Sequence, residues 1–337
     1  MTTRKRFHEL LDAFDSATVL LLGDLVLDRF ILGTPKRISR EAPLIILRYE
    51  GQRDVPGGGA NALANLASLG VRAIPVGAVG DDEPGRALRA SLEERGIDVS
   101  SILTVPGYRT PTKVRVLGGG SSSLKHQVAR YDIEDNLPAE GSWLPQLVDA
   151  LDRRLRDADA VAISDYGYGV IRNETAGPLL QNGHRPKWVC ADSRYDIASL
   201  VGIDGATPNL QELERAAGRQ LSDDDDVATA AEDLRRRLDA RFLLATRGNR
   251  GMTLVERERP AIHIPVFGTD EVADVTGAGD TVLAVLTAAL ASGATPEEAS
   301  RMANYGGGVV VMKLGTASVT RDELAVAVER DLRRDRG

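Results

Sequence analysis

A single cysteine, Cys190, stands in 337 residues, which excludes an intramolecular disulfide framework and fits a reducing compartment. Its neighbours Trp188, Val189 and Ala191 make it a core thiol on a buried strand. Aromatic residues are scarce, at 4%, and positive charge is outnumbered, with 42 Lys and Arg against 49 Asp and Glu for a net charge of −7. A sequence-independent nucleic-acid binder needs the opposite balance and, for single strands, stacking aromatics, so that class is excluded. His8, His126, His184 and His263 are scattered, with no His-x-x-x-His and no Cys-x-x-Cys, which excludes a transition-metal site built on those ligands. Long apolar runs are also missing. The basic start Arg4-Lys5-Arg6 leads into His8-Glu9, and the run at 19–22 is too short for a signal core or a membrane span. The expectation is a cytoplasmic protein with neither nucleic acid nor membrane as partner.

What is present is a hydrophobic fraction of 42%, enough for a sizeable core. Short apolar runs at 18–22, 73–76, 160–164, 187–191 and 242–246 alternate with helical patterns at 61–69, 84–95, 144–156, 174–181 and 227–238. Gly70, Gly96 and Gly183 follow three of these helices as left-handed C-caps would. Such alternation predicts an α/β fold, a mostly parallel sheet with helices on both faces. Two segments break the rhythm, at about 30–55 and 108–135. There Lys113-Val114-Arg115-Val116 and Val128-Ala129-Arg130-Tyr131 alternate with period two around Gly118-Gly119-Gly120. Both read as antiparallel hairpins inserted into the α/β body, either as surface ribbon or as a small β lid over a site. The acidic run at 222–226 reads as a solvated loop and helix N-terminus, and the basic C-terminal stretch from Arg330 is expected to fray.

The motif richest in chemistry is Asp274-Val275-Thr276-Gly277-Ala278-Gly279-Asp280-Thr281, directly before the apolar helical pattern at 282–290. Glycines at a helix N-terminus expose backbone N–H groups to an anion, and the helix dipole adds to the attraction. Asp280 in that positive setting has two readings, a helix N-cap or a general base beside a phosphate cradle. On the second, the N–H groups of Gly277, Ala278 and Gly279 form an anion hole. A second glycine-rich stretch, Pro56-Gly57-Gly58-Gly59-Ala60-Asn61-Ala62, also opens a helix. Its loose match to a dinucleotide fingerprint lacks a buried strand before it, so a polyhydroxyl ligand fits better than NAD. Neither the P-loop signature nor the protein-kinase motifs occur.

Together these two motifs, in their order and separation, resemble the signatures of the ribokinase-like (PfkB) carbohydrate kinases, and the likeness extends over nearly the whole chain. What the resemblance implies is an ATP-dependent phosphotransferase with Asp280 as base. It places sugar contacts at Asp28, Gly57, Gly58, Gly59, Asn61 and Asp165. It places ATP contacts at Arg194, Asn209, Thr246, Gly248, Gly251 and Asn304, and Mg²⁺ held through water by Asn209 and Glu212. Asp274 and the Thr276 carbonyl, with carbonyls near Lys313–Gly315, would hold a monovalent cation such as K⁺; Asp274 reads equally as a plain loop acid. Lys113, Arg115, Arg130 and Arg37 on the lid are candidates for a second phosphate on the substrate, or else a solvated strand face.

Within the family, residues 23–29, 37–43, 112–117, 130–132, 164–166, 207–210 and 308–316 are similar to the kinases of D-glycero-β-D-manno-heptose 7-phosphate. That likeness implies phosphorylation of the anomeric hydroxyl to give the 1,7-bisphosphate; a hexose phosphate, ribose or fructose kinase and a sugar-phosphate-binding pseudokinase remain as alternatives. Two lysines usual in those enzymes are Tyr168 and Arg194 here. The family implies a homodimer through the lid. The length reads as one kinase domain over 1–337 with no nucleotidyltransferase domain, so that a separate protein would carry the following nucleotide transfer.

Overall fold

The computed structural model describes residues 4–119, 125–181, 185–268, 274–313 and 315–334. Thirteen strands are described: β1 (Thr18–Gly23), β2 (Leu25–Ile38), β3 (Ile45–Gly58), β4 (Arg72–Gly80), β5 (Ile102–Val105), β6 (Thr112–Gly118), β7 (His126–Ile133), β8 (Ala160–Asp165), β9 (Trp188–Ser193), β10 (Gly205–Ala206), β11 (Phe242–Thr246), β12 (Met252–Glu256) and β13 (Ile262–Ile264). The helices are α1 (Arg4–Ala13), α2 (Gly59–Ser68), α3 (Glu83–Glu93), α4 (Trp143–Leu155), α5 (Asn173–Gln181), α6 (Leu210–Ala217), α7 (Asp224–Arg237), α8 (Ala278–Ala291), α9 (Pro296–Val310) and α10 (Arg321–Arg334).

Nine strands form one sheet in the order β13-β12-β11-β10-β9-β8-β1-β4-β5, parallel from β5 to β11 and antiparallel at β12 and β13. The run Thr-Val-Leu-Leu-Leu-Gly makes β1 central because it is apolar on both faces. Val19 and Leu21 pack with α1, α2, α8, α9 and α10, while Leu20 and Leu22 pack with α4, α5 and α7 on the other side. The chain winds outward from β1 in both directions, so a topological switch lies at the carboxyl ends of β1, β4 and β8, where open α/β sheets bind ligands.

A second sheet, in the order β3-β2-β6-β7, stands over that end. It joins two antiparallel hairpins through parallel pairing of β2 with β6, from Leu27↔Thr112 to Gly33↔Gly118. The first hairpin is longer than the inserted segment read from the sequence. It starts at Leu25 and runs to Gly58, so Gly57 and Gly58 end a strand rather than open the helix, and Gly59 starts α2 at once. Arg29 fastens the lid's base by pairing with Asp54 at 2.7 Å and with Glu83 of α3 at 2.6 Å.

Gly70 and Gly96 have the positive φ of left-handed caps, +86° and +76°, as expected; Gly183, His184 and Gly120 lie outside the described residues. The acidic run opens α7 with Asp223 as N-cap. Two of its acids are not merely solvated, since Asp226 pairs with Arg219 at 2.5 Å and Asp224 with Arg247. In the C-terminal stretch α10 continues to Arg334, with Asp331 accepting from the Tyr305 hydroxyl at 2.7 Å; residues 335–337 lie outside the described residues.

Candidate active site

The glycine-rich stretch before α8 forces the geometry of the centre. Gly277 has φ +79° and is itself the N-cap, without a side-chain cap. Asp280 is therefore the third helical residue, which removes its reading as an N-cap. A Cβ on Gly277 would lie 2.5 Å from the Asn61 amide nitrogen, so a side chain there displaces Asn61. The Ala278 N–H closes a turn onto the Val275 carbonyl at 3.2 Å. It is thereby withdrawn from the expected anion hole, whereas the N–H groups of Gly277 and Gly279 have no partner among the described residues.

Asp280 is buried, and each of its oxygens receives one donor. Asn61 Nδ2 reaches Oδ2 at 3.1 Å and the Tyr166 hydroxyl reaches Oδ1 at 2.9 Å. Burial pushes its carboxyl up to about 6, against the two hydrogen bonds and the Lys113 charge, which pull it down. Asn61 also donates to the Gly277 carbonyl at 3.2 Å, so its amide orients the base and the cradle rather than standing free for a sugar. Its own carbonyl oxygen takes Asn65 Nδ2 at 3.2 Å.

On the lid side, Asp28 accepts from Arg115 and from Thr316, both at 2.6 Å. Arg115 is 9% exposed and buried on this carboxylate; the same alternation that points it inward gives it a partner the sequence did not reveal. A Cβ on Gly57 would sit 2.7 Å from Asp28, so glycine makes room for that pair. Lys113, one pleat away on the same face, donates no hydrogen bond among the described residues and stands 4.5 Å from the Tyr166 ring centre. Burial pulls its ammonium below the ordinary lysine range, while Asp28 and Asp280 act the other way. Arg130 lies opposite Arg115 on β7, more exposed, with its guanidinium on Asp132. Arg37 lies at the far end of the hairpin, roughly 30 Å along the strand from Asp28, outside this cluster.

On the other side of Asp280 opens a cleft of about 190 Å³, lined by Thr246, Gly248, Gly251, Asn304, Gly279 and Val282 among others. Its walls are α8, α9 and the β11–β12 turn, and its apolar lining suits a planar base. Asn304 donates to the Pro265 carbonyl at 2.8 Å, which ties the loop after β13 to α9. Close to Asp280 and Tyr166 stand Asp192 and Arg194, with Glu212 beside them. Burial raises the Asp192 carboxyl well above the carboxylate range, helped by the charges of Glu212, Asp280 and Asp165; burial also raises Glu212. Asn209 and Glu212 form a capping box on α6, with reciprocal bonds of 3.0 and 2.8 Å. Asp165 accepts from Ser193 at 2.6 Å and from the Gly167 N–H at 2.9 Å. Asp274 accepts from the N–H groups of Thr276 at 2.9 Å and Gly315 at 3.1 Å; Leu314 lies outside the described residues.

Two residues at this centre were not singled out in the sequence. Tyr166 falls in a stretch whose likeness to the family is plain, but only the fold brings it to Asp280. Asp192 belongs to Asp192-Ser193-Arg194, where attention falls on the arginine that replaces a lysine.

A mostly parallel sheet with a β lid, an uncapped glycine-rich helix start and a buried carboxylate between lid and cleft make a site suited to phosphoryl transfer onto a hydroxyl. The chain belongs to the pfkB family of carbohydrate kinases, whose family pattern matches residues 33–323. It is 42% identical over 333 residues to the bifunctional protein HldE of Nitrosococcus oceani, covering 95% of this chain and 66% of that protein. To HldE of Mesorhizobium japonicum it is 39% identical over 326 residues, covering 96% and 64%. The chain thus spans just under two thirds of the length of these relatives. Its fold is similar to that of the Arabidopsis thaliana ribokinase complexed with ribose and ATP, with TM-score 0.71 and 19% identity over 93% of this chain and 99% of that one. It is also similar to Escherichia coli phosphofructokinase-2 in complex with potassium, with TM-score 0.75 and 21% identity over 93% and 98%.

Proposed function

We propose that this kinase transfers the γ-phosphoryl group of ATP to the anomeric hydroxyl of D-glycero-β-D-manno-heptose 7-phosphate, with Asp280 as general base. The observation that carries the mechanism is the placement of one buried carboxylate, near 6 in pKa, between the apolar cleft and the cationic lid face. A base poised just below neutral is ionised at working pH yet basic enough to accept a hydroxyl proton.

ATP would lay its base in the cleft against Gly251, Asn304 and Val282, with Thr246 and Gly248 beneath the phosphates. Arg194, whose guanidinium stands 5.9 Å from the Tyr166 ring, reaches the same place from β9. The unpartnered N–H groups of Gly277 and Gly279 face the γ-phosphoryl oxygens; donors of this kind are worth roughly 3–4 kcal/mol each. The sugar hydroxyl gives its proton to Asp280, its oxygen forms the new bond to phosphorus, and the bond to the β-phosphate oxygen breaks. Asp28 holds sugar hydroxyls, with Arg115 and Thr316 fixing it, while Gly57, Gly58 and Gly59 let the sugar approach the backbone beside Asp165. Lys113 and Arg130 are the lid cations we assign to the 7-phosphate.

Asp192 and Glu212 fit Mg²⁺. A cation beside them would offset the cost of ionising two acids that burial holds up, and no cluster of three acids or histidines close enough for direct ligation occurs among the described residues. The ion would therefore be held largely through its own water, with Asn209 alongside, and would neutralise phosphate charge. Asp274 and the Thr276 carbonyl offer oxygen donors alone, which suits a hard monovalent cation.

The heptose assignment is supported by the stretches similar to heptose 7-phosphate kinases. A hexose phosphate is the second reading, favoured by Tyr168 and Arg194 in place of lysines, since guanidinium and ammonium bind phosphate differently. Tyr168 here bonds Glu134 at 2.8 Å instead of offering a charge. Assays of phosphoryl transfer with heptose 7-phosphate, fructose 6-phosphate, ribose and fructose, with the product position read by ³¹P and ¹³C NMR, decide between them. A higher kcat/KM on any other sugar ends the heptose assignment.

A further inference from the structure

The loop between β8 and α5 folds around a buried carboxylate. Asp24, at the end of β1, accepts the N–H groups of Tyr166 at 2.8 Å, Tyr168 at 3.0 Å and Val170 at 3.1 Å. Three main-chain donors on one side chain fix the loop's path, and that path places the Tyr166 hydroxyl on Asp280. The ring is seated as firmly as its hydroxyl. A Cβ on Gly58 would come within 3.2 Å of the ring, and the Lys113 ammonium and Arg194 guanidinium stand 4.5 and 5.9 Å from its centre. Cation–π contact and packing need only a phenyl ring. The hydroxyl serves the base.

We propose that Tyr166 is a positioning residue for the phosphoryl transfer. Its hydroxyl holds Asp280 Oδ1 while Asn61 holds Oδ2, so that the carboxylate is fixed in the one plane that meets both sugar hydroxyl and phosphate cradle. Without the tyrosine hydroxyl the carboxylate is free to turn about its last torsion, which is broad in aspartate. The same bond favours the ionised carboxylate. The charged groups facing Asp280 are Lys113 from β6, Asp28 from β2 and Asp192 from β9, with neutral Asn61 from α2. The Tyr166 phenol is itself held far above its ordinary range by burial and by Asp280, so it remains a donor throughout the working pH range. Losing it leaves burial less opposed, and the Asp280 carboxyl rises.

The inference rests on Asp280 as base, and its test separates the two. Tyr166→Phe is expected to fold as the wild type does, melting only a few degrees lower at pH 8 because its Asp280 is harder to ionise, and to keep both KM values while kcat at pH 7 falls roughly 10- to 100-fold. The acid limb of the kcat profile should move up by about one pH unit, so the deficit narrows at high pH. Fluorotyrosine at position 166, a stronger donor of nearly the same shape, should move the limb the other way. An acid limb that stays in place in both variants, or a Tyr166→Phe kcat that equals the wild type's on the alkaline plateau, overturns the proposal. Asp280→Asn is measured beside them. If it is inactive while the Tyr166 variants are unshifted, the base stands and only the positioning role falls. If it is active, the base assignment itself is wrong.

Discussion

Asp280 is ionised against the pull of its own burial, and that tension has a thermodynamic signature. Its carboxyl titrates near 6 in the folded protein against 3.8 for the free side chain, so the folded state holds the proton more tightly. Between those two values unfolding releases a proton and stability falls as pH rises; above 6 the penalty is complete, at about 3 kcal/mol. Asp280→Asn removes the penalty. It should leave less than about a tenth of wild-type turnover, since general-base catalysis is worth at least that much. It should also melt at a higher temperature than the wild type at pH 8, with the gap shrinking towards pH 4 as the wild-type aspartate regains its proton. Calorimetry across pH, with ATP binding measured alongside, checks both halves; lower stability at pH 8 would sink the account. At this scale Asp280 was legible because an acid among helix-start glycines demands a reason. Its partners were not. Tyr166 lies 114 residues away and Asn61 lies 219 away, and no local pattern records such contacts. Arg115 shows the same limit. Period-two alternation told which way it points, but not that Asp28, 87 residues off, would be waiting for it.

Among elements, α9 does more than cover the sheet. Its Gly306-Gly307-Gly308 run brings the loop after β13 against the helix; a Cβ on Gly308 would meet the Phe267 carbonyl oxygen. Phe267, Gly307 and Gly308 all line the apolar cleft, and Asn304 one turn earlier bonds the Pro265 carbonyl. Gly308→Ala should therefore push the loop outward and raise the KM for ATP about tenfold, equivalent to roughly 1.4 kcal/mol, with the sugar KM little changed. Isothermal titration with ATP and steady-state kinetics measure this; a raised sugar KM with normal ATP affinity would place the cleft's role elsewhere. The main strands and helices were legible because apolar runs of four or five residues alternate with 3.6-residue patterns, and β1, β8 and α8 fall where those patterns put them. The end of β3 was not. Gly57 and Gly58 read as the opening of a helix, yet they keep strand pairing with Val26 and Leu25; glycine, weak in strands elsewhere, stands here because Asp28 and Val26 leave no room for side chains.

For the molecule as a whole, the lid poses a problem of edges. Its sheet has β3 and β7 as outer strands, each paired on one side only, and it presents Ile38, Ile45, Tyr49 and Tyr131 with 53 to 71% of their surface exposed. A long edge with apolar side chains invites pairing with another chain unless something covers it. The lid is fastened to the body mainly near its base, by Arg29 to Glu83 and by Asp28 to Thr316, so its outer half gains little order from its own chain. A second copy of this chain, docked lid to lid, would cover that surface and stiffen the sheet that carries Lys113 and Arg130. The expected outcome is a homodimer by light scattering. Ile45→Asp with Tyr49→Asp should convert it to monomer through the cost of burying charge in an apolar contact. Neither residue touches the site, so the KM for ATP should hold while the KM for the sugar phosphate rises with the loosened lid. High salt should not dissociate the wild type, because apolar burial, unlike surface ion pairs, is not screened. A wild type that is monomeric at all concentrations, with full affinity for the sugar phosphate, would mean that the lid is ordered by its substrate alone.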